Sequence, residues 1–169
     1  MLRFLFPRLT DEKQRGRALF DALVAEARAP HWYVEGGVPD TLDGRFAMLA
    51  TVVAMATVRV ERGDQGRIAS AALTERFIEA MDAEHRQIGI SDPSLGKTVR
   101  KLVAGLARRV ELWRAATSGS GKWAAAAAAS VFGGEAPAKA IDHVGEELRT
   151  LWTRLDGAAD EQLAQGKIG

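Results

Sequence analysis

At 169 residues, 47% hydrophobic and 27% charged, the chain has the composition of one globular domain and not of a disordered segment. Its 23 basic and 22 acidic side chains nearly cancel, so no whole-protein field recruits DNA and any charged contact must come from a local patch. Cysteine is absent, which excludes disulfides, thiolate metal sites and cysteine nucleophiles.

The first residues, MLRFLFPRLTDEKQRGR, do not read as a signal peptide, because the apolar part is short and Pro7 interrupts it. No window reaches the roughly 20 apolar residues that span a bilayer. The expectation is a soluble, cytoplasmic chain that at most lies against the inner face of the plasma membrane. Residues 1–9 form an apolar and basic arm, with Arg3 and Arg8 punctuating MLRFLF. It fits an interfacial membrane segment and a strap over the bundle equally well.

Thr10 caps the first expected helix, whose first turn holds Asp11 and Glu12 at the positive end of the dipole. Leu19, Phe20, Leu23, Val24 and Ala27 recur at helical spacing, and Pro30 ends the run. A loop over residues 30–40 carries His31, Trp32, Tyr33, Gly36, Gly37 and Pro39. The second helix runs from about Thr41 to Arg62, and between Phe46 and Val60 its only charge is Arg59. A helix apolar nearly all round belongs at the centre of its domain.

RGDQGR is a turn, and a third helix follows from about Ile68 to His85. Leu73, Phe77 and Met81 face inward there, while Glu75, Glu79 and Asp82 form an acidic stripe. Asp92 caps a fourth helix with Pro93 at its first position. Its seam is Leu95, Val99, Leu102, Val103, Leu106, Val110 and Trp113. TSGSGK reads as a linker and the alanine run 124–129 as a helix. Pro137 to Leu155 forms a last amphipathic helix, and the final dozen residues are expected to fray. No strand is expected. The fold class is all-α, a single-domain bundle of about six helices with a central apolar helix. Within it, residues 10–116 form the core, and 117–169 supply a linker and C-terminal helices packed on that core.

Motifs that carry chemistry are incomplete. LGKT at 95–98 lacks the first glycine and the preceding strand of a phosphate loop, and SGSGKW has tryptophan where the metal-binding hydroxyl belongs. Asp82 and His85 share a helical face, but no second copy completes a di-metal bundle site. His31 and His143 have no acid and nucleophile partners at a recognisable spacing. No catalytic residue, metal or cofactor is expected.

The fourth helix is basic, with Lys97, Arg100, Lys101, Arg108, Arg109 and Arg114 against Glu111. This is either a solvated face or a contact for anionic headgroups or ribosomal RNA. The lack of interleaved aromatics disfavours base stacking. Arg3, Lys97, Arg100, Lys101 and Arg108 are the candidate membrane or phosphate contacts.

The stretch GVPDTLDGRF, residues 37–46, combines the backbone freedom of Gly37, the extended bias that Pro39 imposes before it, and a helix cap at Asp40 or Thr41. Asp43 suits the helix dipole, while Arg45 is free to pair with an aspartate or a partner. Together with Ala27, Arg28, Pro30, Trp32 and Tyr33, this run resembles the signature of the ubiquinol-cytochrome c chaperone family (Cbp3-like), in its alphaproteobacterial branch. The likeness continues through Phe46 to Leu49 and returns weakly over residues 73–102. It covers about residues 10–116 and leaves the alanine-rich tail unmatched.

The resemblance implies a non-catalytic assembly chaperone that binds newly synthesised cytochrome b and assists assembly of the cytochrome bc1 complex. It adds the ribosome near its exit tunnel and the inner-membrane surface as further partners, and no DNA. An escort for an apolar client exposes apolar surface. On that footing the client-binding candidates are Tyr33, Pro39, Asp40, Thr41, Asp43, Arg45, Phe46, Met48, Val52 and Met55. The three last would line a groove, unless they complete the core. The alternatives are a membrane-surface adaptor and a lipid- or quinone-handling helical protein.

Overall fold

The computed structural model describes residues 15–87 and 95–169. Every regular element among them is helical, as the periodicity requires. The helices are α1 Arg17–Ala27, the single turn α2 His31–Val34, α3 Leu42–Val60, α4 Gly66–Gln87, α5 Leu95–Ala115, α6 Trp123–Val131, α7 Ala138–Gly157 and α8 Asp160–Ala164. The starts expected at Thr10 and at Asp92 and Pro93 lie outside the described residues, as does the arm with Arg3.

The central position of α3 follows from its composition. Thr41 opens it by accepting the Gly44 amide at 3.1 Å. Residues 50–60 are buried without a break, and α1, α4, α5, α6 and α7 all pack against the helix. Ala50, Ala54 and Ala56 carry no more than a methyl group, which leaves room for neighbours on several sides. The two threonines in this stretch stay buried by spending their protons locally: Thr51 Oγ1 donates to the Ala47 carbonyl and Thr57 Oγ1 to that of Val53, both at 2.8 Å.

Arg59 was the anomaly of the apolar run. It is 9% exposed, and it reaches the end of the chain. Its Nη2 donates to the Ala158 carbonyl at 2.6 Å and its Nη1 to Asp160 Oδ1 at 2.9 Å. The terminal dozen residues are therefore not frayed. They form α8, bury Leu163 to 1% exposure, and bring Gly166 against the backbone of Ala18 on α1. The expectation of fraying fails because a polar segment is held here by one buried cation and by Leu163, with Ile168 packed against the core.

Two other segments differ from the sequence reading. The loop at 30–40 contains α2, stabilised when Trp32 Nε1 donates to the Glu26 carbonyl at 2.9 Å. The linker after α5 begins as a wide helical turn over Ala116–Ser120. It ends where Gly119 and Gly121 take φ of 100° and 66°.

Candidate functional site

The motif GVPDTLDGRF folds as a loop returning onto the first turn of α3. Gly37 has a φ of 65°, which favours glycine. At Gly44 any Cβ would collide with the Pro39 carbonyl oxygen, so the glycine lets the loop close tightly on the helix. Arg45 Nε donates to Asp40 Oδ1 at 2.6 Å across that closure. The pair is exposed on both sides, and the bond from Arg45 holds the Asp40 carboxyl below its ordinary range. Thr41 and Pro39 thus serve the loop's shape.

Beside this loop opens a cleft of about 370 Å3. Val24, Ala27 and Arg28 of α1 form one wall, and Tyr33 of α2 stands next to them. Leu42, Asp43, Arg45, Phe46 and Leu49 come from α3, with Met81 and Glu84 from α4 and Leu102 from α5. Tyr33 donates its hydroxyl proton to the Ala27 carbonyl at 2.6 Å, and the Arg45 guanidinium lies 6.0 Å from its ring centroid. Burial raises the Tyr33 phenol above its ordinary value, with Arg45 and Arg28 opposing and Asp40 reinforcing the rise. The Phe46 ring lies 5.8 Å from that of Phe77, which fixes Phe46 against the core.

Of the expected client-binding residues, Tyr33, Asp43, Arg45 and Phe46 are thus brought together. Met48, Val52 and Met55 are not: each is 0% exposed and belongs to the core. The groove expected from them does not exist, because α3 is covered on several sides and its surplus apolar residues are consumed by packing. Sequence reasoning missed Val34 and Leu42, which are 76% and 56% exposed and sit at either end of the motif loop. Their apolar character next to glycines and aspartates was the available signal.

On α5, Lys97, Arg100, Lys101 and Arg108 are all exposed. Arg109 and Arg114 have internal roles. Arg109 Nε and Nη2 donate to the Ser130 carbonyl at 3.2 and 3.0 Å, and Arg114 pairs with Glu61 and Glu111. The basic face is therefore narrower than the sequence count implies. Among the described residues no helix is long and apolar enough to cross a membrane.

A family model described as ubiquinol-cytochrome C chaperone matches residues 34–168. It takes in the motif loop, the cleft residues of α3 to α5 and the alanine-rich tail that the sequence resemblance left unmatched. The crystal structure of the Cbp3 homolog from Brucella abortus is similar at a TM-score of 0.80 with 25% identity, covering 100% of this chain and 96% of that one. No curated protein matches significantly.

Proposed function

The chain belongs to the ubiquinol-cytochrome C chaperone family, and we propose that it holds newly synthesised cytochrome b at the cleft beside the motif loop and hands it on for assembly of the cytochrome bc1 complex. The role is non-catalytic. The observation that carries it is the composition of the cleft. Leu42, Phe46 and Leu49 leave apolar surface accessible in it, Met81 is buried in its lining, and the charged side chains of Arg28, Asp43, Arg45 and Glu84 line it exposed to solvent. Accessible apolar surface is what a holder of an apolar client needs, and Leu42, 56% exposed, supplies part of it.

In this reading the protein meets its client at the inner face of the plasma membrane, close to the ribosome exit tunnel. The exposed cations Lys97, Arg100, Lys101 and Arg108 then stand against anionic headgroups. Arg3 is assigned to the same contact by sequence alone.

In-cell photo-crosslinking tests the reading. A photoreactive residue at position 33, 42 or 45 is expected to capture cytochrome b, and the same probe at the exposed position Arg149 is not. Equal capture from Arg149, or none from the cleft, overturns it.

A further inference from the structure

Granting that the cleft holds a membrane-protein client, we infer that it grips only the end of a client helix: a single apolar turn that carries charged flanks, and not the uncharged middle of a membrane span. Two observations lead there, one of size and one of charge.

A membrane-spanning helix is about 30 Å long. The apolar stripe of the cleft runs from Leu42 through Phe46 to Leu49 on α3, about 10 Å along the helix axis. That is about a third of the span, and the apolar side chains on one turn of a guest helix, three or four residues apart, cover it once their own width is counted.

The charges select which turn. Asp43 and Arg45 are two residues apart on α3, roughly 200° around its axis, so they stand on opposite sides of that stripe. Arg28 and Glu84 add one charge of each sign at the mouth, and all four side chains are exposed. Asp40 Oδ1 accepts a hydrogen bond from Arg45 Nε. The two Nη groups make no hydrogen bond to a described residue, which leaves a fork ready for a carboxylate. A wholly apolar guest would partly desolvate these charges while giving them no new partner. Charged residues lie at the ends of membrane helices and are rare in their middles. The fitting guest is the turn where the apolar span meets its flanking acid and base.

The test uses the whole chain and three synthetic helical peptides. The first carries one apolar turn flanked by Glu and Lys. The second replaces both charges with Gln. The third is an uninterrupted Leu/Ala span of about 20 residues, presented in mild detergent. Binding is read by fluorescence anisotropy, and contact by a photoreactive phenylalanine analogue at position 46. The first peptide should bind about fivefold tighter than the second for each charge pair formed. Asp43→Lys and Glu84→Lys, checked for unchanged helicity, should each weaken the Glu/Lys peptide. Exchanging its Lys for Glu should restore the binding. Equal affinity for the first two peptides, or equally tight binding of the third with cross-links along its length, overturns the inference. In that event, capture of cytochrome b from positions 42 and 45 in cells still leaves the proposed function standing. Loss of that capture removes both.

Discussion

Arg59 Nη1 lies 2.9 Å from Asp160 Oδ1, so a side chain in the middle of the core fastens the last helix of the chain. Asp160 is half exposed and stays solvated if the partner is lost, whereas the Ala158 carbonyl depends on Arg59 Nη2. Arg59→Met keeps the apolar stem but removes that donor. It should cost about 1–3 kcal/mol, read as a lower urea midpoint with an unchanged slope. Faster proteolysis after α7 should accompany it. Asp160→Asn, which retains an acceptor oxygen, should cost less than about 1 kcal/mol. Equal effects of the two would mean that the ion pair, and not the carbonyl, carries the latch.

A second buried network joins three helices. Trp113 Nε1 donates to Ser130 Oγ at 3.1 Å, and Ser130 Oγ lies 2.5 Å from Thr51 Oγ1. The single Thr51 proton is committed to the Ala47 carbonyl, so Ser130 donates to Thr51. Ser130→Ala removes both the acceptor of the indole and the donor to Thr51, and should cost about 1–3 kcal/mol. The double variant with Thr51→Val should cost less than the sum of the single changes, because the two share one network. Additive costs in the chemical denaturation of the four proteins would refute the shared chain of protons.

Much of this fold was legible because periodicity speaks directly about burial. The seam residues Leu73, Phe77 and Met81, and Leu148, Leu151 and Leu155, are all in the core as their spacing requires. The limit was reached where burial is set by partners distant in sequence. Met48, Val52 and Met55 look surplus along the helix, yet five other helices cover α3. The C-terminal segment carries one useful leucine, and its anchor Arg59 is about a hundred residues away, beyond any local pattern. Tyr33, Asp43, Arg45 and Phe46 were found because the motif itself draws them together. Leu42, an exposed leucine in a helix's first turn, has no periodic signature.

Gly44 lets the motif loop close on α3, whereas its neighbour Asp43 is exposed. Gly44→Ala forces a Cβ into the Pro39 carbonyl oxygen, so the loop must shift and take Asp40 and Arg45 with it. The cost should be about 1–3 kcal/mol, with client cross-linking from position 33 lost as the cleft deforms. Asp43→Ala leaves the loop intact. It removes a favourable charge from the helix start, so it should cost no more than about 1 kcal/mol. Parallel thermal melts and cross-linking of the two variants give the comparison. Retained capture in Gly44→Ala would show that loop closure does not shape the site.

The Asp40–Arg45 bond fixes how the motif loop answers acid. The bond lowers the Asp40 carboxyl in the folded state, so its stabilising contribution is present above the unfolded value of about 3.9. It is lost as pH falls through the lower, folded value. Between neutrality and pH 5 the pair should therefore be intact, and client capture should not titrate through it. Asp40→Asn should behave at neutral pH as the native chain does below that transition, with the Arg45 side chain more accessible to a dicarbonyl reagent. Arginine modification followed by mass spectrometry reads this, and equal reactivity of Arg45 in the two proteins counts against it.

Tyr33 is the only tyrosine in the chain, so phenolate absorbance reports one site without mutation. Burial raises its folded value above that of the exposed phenol, which is about 10. A raised acid of this kind stabilises the fold below the unfolded value, and the contribution disappears as pH rises through the folded one. Deprotonation also withdraws the donor from the Ala27 carbonyl, which leaves the Trp32 bond to the Glu26 carbonyl to tie α2 to α1. The absorbance midpoint in the native protein should lie above that in denaturant. Arg45→Ala should move it higher still, because the guanidinium opposes the rise while Asp40 continues to reinforce it. A guest peptide seated in the cleft buries the phenol further and should shift the midpoint in the same direction. If the midpoint is unmoved by a peptide that demonstrably binds, the guest sits elsewhere, and Tyr33 is only the strut between α1 and α2.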